Sequence, residues 1–161
     1  MADKGNVTEL PIPPDKGLEV TNKHKKARVF RDYLIEKNTI NMFKEEEVET
    51  GVIFRSAYKI KDENKQFMII FNDSIYITMQ SLIIRDVPPE KREQMLRVIN
   101  QLQFEFPTVK YVLTPDNHLM TSMTFHGNEN TMQPATILLC TIEYFKVLAA
   151  NHYDRFLAVL A

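Results

Sequence analysis

Four histidines, one cysteine and a run of glutamates are the side chains of this sequence best suited to catalysis or metal binding. Zinc chemistry needs ligands that converge, for example two histidines a helical turn apart with a nearby carboxylate. His24, His118, His126 and His152 fall instead on separate segments. His118 and His126 flank one stretch at an even spacing, so a strand would point both to one side. No third ligand accompanies them, and they read as histidines at strand ends. Cys140 lies inside Ile137-Leu138-Leu139-Cys140-Thr141-Ile142, an apolar run with no basic neighbour to lower its pKa, and reads as a packed structural thiol. Glu45, Glu46, Glu47 and Glu49 form one local run with no second carboxylate cluster to oppose it, so they read as a solvated edge rather than an acid–base pair. The glycines stand at 5, 17, 51 and 127, too scattered to build a phosphate-cradling loop. Lys23-His24-Lys25-Lys26 with Arg28 and Arg31 is the basic concentration of the chain. Cations there oppose the dipole of a helix that starts with them, which suggests a solvated segment or a contact for an acidic partner or phosphate. Phe30 is its one interleaved aromatic, so nucleic-acid binding is not expected.

No cofactor and no metal is expected from these groups, and the chain does not read as an enzyme. Its 161 residues fit one domain large enough to bury a two-layer core unaided. With 44% hydrophobic and 25% charged residues the composition is that of an ordinary globular protein. Lys+Arg 20 against Asp+Glu 21 gives a net charge of −1, so no overall field draws it to nucleic acid or an anionic membrane. One cysteine, no secretory apolar segment and no membrane-length apolar run point to a cytoplasmic protein.

The elements that must position any site follow from periodicity. Pro11, Pro13, Pro14, Gly5 and Gly17 make residues 1–21 a tail that folding should not need, and 22–161 a single domain. A helix is predicted over about 23–38 from Ala27, Phe30, Tyr33 and Leu34. After Gly51 the period changes to two, and Val52, Phe54, Tyr58 and Ile60 share one face of a strand. Two more strands follow, over 67–71 and about 75–79. Asp86-Val87-Pro88-Pro89-Glu90 opens a second helix with the stripe Met95, Val98, Ile99, Leu102 and Phe106. Strands at 109–113 and 119–125 precede a long helix from Pro134 to the C-terminus. The order αβββαββα predicts an α+β domain, helices packed on an antiparallel five-stranded sheet.

Two helices carry more apolar surface than one buried face requires. Phe104 falls about 180° from the Met95/Leu102 stripe, so it either folds over the helix end or meets a partner. On the last helix Leu138, Ile142, Phe145, Ala149, Phe156 and Leu160 make one stripe, and Ile137, Tyr144, Leu148 and Val159 a second. A helix of some 25 residues is ~38 Å long, more than a small sheet covers. The second stripe is therefore either sandwiched within the domain or covered by another chain, and the latter is the expectation. The predicted protein-binding residues are Leu96 and Phe104 on the middle helix and Ile137, Tyr144 and Leu148 on the last, with a homodimer formed through one of these faces. Met68, Met79, Met120 and Met123 could add an adaptable sheet face.

The stretch Val87-Pro88-Pro89-Glu90-Lys91-Arg92, then Leu96 to Leu102 with Asn100, then Phe106-Pro107-Thr108-Val109-Lys110-Tyr111-Val112-Leu113 and Asp116-Asn117, resembles the YbjN family of bacterial proteins. Gly51-Val52-Ile53-Phe54-Arg55 is similar to that family's G-V-x-F strand. The likeness spans about residues 27–160, with Gln103 where the family has a second Asn and Asn117 where it has a turn glycine. It implies a fold like that of the small homodimeric chaperones of type III secretion, and a role described as sensory-transduction regulation. The function expected is a non-enzymatic protein-binding module, an adaptor, regulator or chaperone for a protein partner not identified by the sequence. The alternative is a small-ligand sensor with an apolar pocket between sheet and helices.

Overall fold

The first helix begins on Asn22, whose side chain accepts from the backbone N–H of His24 and Lys25 at 2.9 and 3.1 Å. In this computed structural model, which describes residues 22–161, α1 runs Lys23–Glu36 and buries Lys26, Ala27, Phe30 and Leu34. The predicted tail, 1–21, lies outside the described residues. Six strands follow in one antiparallel sheet of order β1-β2-β3-β4-β6-β5: β1 Lys44–Val48, β2 Gly51–Ile60, β3 Glu63–Phe71, β4 Tyr76–Ile84, β5 Lys110–Leu113 and β6 Leu119–His126. Helix α2, Arg92–Glu105, links β4 to β5. After β6 comes α3, Pro134–Val147, which passes through a π turn, Leu148–His152, into α4, Tyr153–Leu160.

The α+β class holds, but the five-stranded sheet does not. The glutamate run is a strand, β1, paired with β2 from Lys44↔Arg55 to Val48↔Gly51. Its acids alternate as a strand demands. Glu45 and Glu47 turn toward α1, where Arg31 Nε donates to Glu45 at 2.7 Å and His24 Nε2 lies 2.6 Å from Glu47. Glu46 points to the opposite face and accepts from Arg55 Nε at 3.1 Å. Two pairs, His24–Glu47 and Arg31–Glu45, thus link the basic start of α1 to the acidic run, whose glutamates remain exposed on a sheet-edge strand as expected. Burial goes further at Lys26, whose ammonium donates to the carbonyls of Ser74 and Tyr76 and whose pKa burial pushes down against the pull of Asp73 and Glu129. Gly51 closes the β1–β2 turn where a Cβ would sit 2.5 Å from the carbonyl oxygen of Phe71.

The core lies between the sheet and the helices. Phe30 of α1 meets Phe54 and Phe71 with ring centroids 5.0 and 5.3 Å apart. Ile77, Met79, Leu119 and Met123 continue this inner face, and Met95, Ile99 and Leu102 bring the stripe of α2 onto it. The motif residues of α2 act as staples. Arg92 Nη1 donates to Thr114 O and Asn117 Oδ1 at 2.8 and 2.9 Å, and Gln103 Oε1 accepts from the Tyr111 N–H of edge strand β5 at 2.9 Å. That last bond occupies a donor which an open sheet edge would present to another chain.

The last helix is not uniform. Tyr144, Leu148, His152 and Phe156 recur every four residues, and on a 3.6-residue helix each step overshoots by ~40°. The π turn at Leu148–His152 takes up the overshoot and returns Phe156 to the core.

Candidate protein-binding site

The five predicted contact residues divide by element. Ile137 retains 2% of its exposure, and Tyr144 and Leu148 retain none. These three are a correction to the predicted surface: the second stripe of the last helix is sandwiched within the chain. Leu96 at 42% and Phe104 at 89% are exposed, so Phe104 does not fold over its helix end. Earlier on the same helix Glu93 and Arg97 pair with each other at 2.6 Å across one helical turn.

Tyr144 is buried with its hydroxyl satisfied. It donates to the Tyr111 hydroxyl at 3.1 Å, and Tyr111 lies 2.8 Å from Nδ1 of His152. Run in that direction, the chain makes His152 Nδ1 an acceptor and the imidazole neutral. Burial drives both tyrosine pKa values well above the ordinary phenol range. Burial first, then the Arg155 guanidinium, lowers that of His152. The network sits at the π turn and knits β5 to the last helix.

The other histidines are spread along the fold. His24 faces Glu47, His118 Nδ1 accepts from the Asp86 N–H at 3.1 Å, and His126 packs on Tyr76 at 5.3 Å. His118 and His126 close opposite ends of β6. Among the described residues no group of three His, Cys, Asp or Glu could hold a metal ion. Cys140 is half-buried. Of the strand methionines, Met79 and Met123 are core, whereas Met68 and Met120 line a depression of about 140 Å³ on the helix-free face of the sheet.

The apolar cavity lies elsewhere, between β2, α3 and the 39–43 connection. It measures about 170 Å³ and is walled by Phe43, Tyr58, Phe67, Leu138, Ile142 and Phe145, with Met42 at its mouth 66% exposed. Sequence distance conceals it, because its walls come from four separate segments, the 39–43 connection, β2, β3 and α3. Each wall is held: Tyr58 stacks on Phe145 at 5.3 Å and 15°, Phe67 lies 5.2 Å from Phe145, and Phe43 meets Phe67 edge-on at 6.1 Å. Ser56 Oγ donates to Met42 O at 2.7 Å and fixes the connection to the sheet. Thr39 and Thr141 spend their hydroxyls on Leu34 O and Ile137 O, at 3.3 and 2.8 Å. What this lining offers is shape and apolar contact. Strand parity placed Tyr58 inward and the first helical stripe placed Phe145, but nothing in the local pattern marked Met42 or Phe43.

Among the described residues no helix is long and apolar enough to cross a membrane. No protein-family model matches this chain, and no curated protein matches it.

Proposed function

We propose that this chain is a non-enzymatic cytoplasmic protein-binding module that anchors an apolar side chain of its partner in the cavity between β2 and α3. The volume carries the reading. Small-molecule sites run to roughly 300–1,000 Å³, whereas a cavity near 150 Å³ holds one benzene-sized group. At about 170 Å³ this one fits a leucine or phenylalanine side chain and is too small for most metabolites. Preformed pockets that take one anchor, with an apolar rim such as Met42, are where interfaces concentrate their energy. The resemblance to the YbjN family and its chaperone-like relatives points the same way, as does the exposed pair Leu96 and Phe104, which we assign to a contact between two copies of the chain.

The test is capture from the native host with wild type and with Leu138→Trp, a substitution that fills the cavity. A partner retained by wild type and released by the variant, at unchanged melting temperature, supports the module. Stabilisation of the protein by ~1–3 kcal/mol with a metabolite in excess of its Kd would favour the small-ligand sensor instead.

A further inference from the structure

Strands β3 and β4 share a ladder only from Phe71↔Ile77 to Phe67↔Ser81, although β3 begins at Glu63 and β4 continues to Ile84. Past that point each strand keeps its other neighbour. β3 stays on β2 as far as Ile60↔Glu63, and β4 stays on β6 through Leu82↔Met120 and Ile84↔Leu119. The register shift between Leu82 and Ile84 supplies the cause, since an extra residue bends and twists the strand that carries it. β4 follows β6 and leaves β3. Ser81 Oγ closes the ladder by donating to Gln66 O at 2.6 Å.

The sheet therefore opens into a cleft of about 500 Å³. Residues 64–66 form one wall and 82–85 the other, with Tyr153 and Leu157 of α4 beside them. Strand edges without a ladder partner present alternate N–H and C=O groups to whatever enters. With strands ~4.8 Å apart, layers ~10 Å apart and a rise of ~3.3 Å, an extended residue occupies about 160 Å³, so the cleft matches about three residues.

Charge narrows the occupant further. Lys65 in the wall is matched within the chain, its Nζ 2.7 Å from Glu63 Oε2 and 4.9 Å from the centre of the Tyr153 ring. Arg85 is exposed at the cleft and makes no hydrogen bond or ion pair among the described residues. A free anion would satisfy Arg85 and leave both backbone edges empty. An extended peptide with a carboxylate satisfies all three.

We propose that an extended, acidic peptide segment of the partner inserts between β3 and β4, completing the sheet across the split and pairing its carboxylate with Arg85. The proposal rests on the protein-binding reading above and gives that partner a second, chemically distinct element.

A random heptapeptide library displayed on phage is selected on the full chain. The most enriched peptide is then synthesised and tested by calorimetry and by amide hydrogen exchange. The expected result is a carboxylate-bearing peptide that slows exchange of amides within 64–66 and 82–84 at least tenfold. It should lose at least tenfold in affinity to Arg85→Glu and at least tenfold when its alternate backbone nitrogens are methylated. Leu138→Trp should bind it as wild type does. Failure to enrich any peptide overturns the proposal, as does protection in the free protein of those amides within the two stretches that point away from β2 and β6. Binding that ignores both Arg85→Glu and backbone methylation also overturns it. Binding abolished by Leu138→Trp but not by Arg85→Glu would overturn the split as the site and leave the anchor cavity standing.

Discussion

Helices α2 and α3 carry the same sequence anomaly, an apolar residue opposite the main stripe, and the fold treats the two in opposite ways. On α3 and the π turn that continues it, Ile137, Tyr144 and Leu148 are buried, more fully than Leu138, Ile142 and Ala149 of the first stripe. On α2, Phe104 stands in solvent. The difference is one of position. α3 lies against α1 and, through its π turn and α4, reaches back to α2, so neighbours cover it on several sides. α2 packs beside β5, the strand at the sheet edge, with Met95, Ile99 and Leu102 inward and, among the described residues, Phe104 left exposed on its outer face. A surplus apolar residue therefore stays in solvent on a peripheral helix. On a central one it becomes more core.

The sharpest way to break this contrast is to place one charge on each side of it. Tyr144→Glu buries a carboxylate and removes an aromatic, whose loss alone costs ~3–5 kcal/mol; on a net stability of ~5–15 kcal/mol it should abolish cooperative unfolding. Retention of a sharp denaturant transition would show that this face can open to water. Leu148→Ala tests the same burial without charge. It should cost ~2–5 kcal/mol, read as a shift of the urea midpoint at constant slope.

His152→Phe addresses the polar thread through this core. Tyr111 would lose its acceptor, at a cost of about 1–3 kcal/mol. The variant should also lose part of the pH dependence. Because the folded protein holds His152 below its ordinary value of 6.5, the unfolded chain takes up a proton that the folded chain resists. Stability present above that value is therefore lost as the pH falls through the depressed folded value. Wild type should show this decline in melts taken from pH 7 down to about 5, and His152→Phe should show a shallower one.

The smallest effect on stability is expected on the other helix. Phe104→Glu should change the unfolding free energy by no more than ~0.5 kcal/mol, since the side chain is already in water. It should nonetheless split the proposed homodimer, because a two-fold contact presents each substitution twice. Light scattering at tens of micromolar would then give about twice 18.8 kDa for wild type and the monomer mass for the variant. A monomeric wild type would assign Phe104 to a different protein.

Much of the fold was legible because local rules governed it. Parity placed Val52, Phe54, Tyr58 and Ile60 on one face, and the stripe Met95, Ile99 and Leu102 did turn inward. The helix Lys23–Glu36 follows from the recurrence of Ala27, Phe30 and Leu34, and the opening of the second from Pro88 and Pro89. β1 was illegible for a physical reason. Four acids in five positions resemble a solvated run until Arg31, His24 and Arg55, distant in sequence, arrive to pair with them. The π turn was hidden likewise, since a four-residue recurrence reads as ordinary helix until a core fixes which way each residue must face.

The sequence by itself determined the class of fold, most element positions and the inventory of side chains, because capping, periodicity and proline act within a few residues. Only the tertiary structure decided which surplus apolar residues are core and which are surface. It also brought Met42 and Phe43 against Tyr58 and Phe145, and parted β3 from β4. Each of those outcomes depends on which element lies next to which. Burial and shape are properties of neighbours in space, and a local pattern of residues does not specify them.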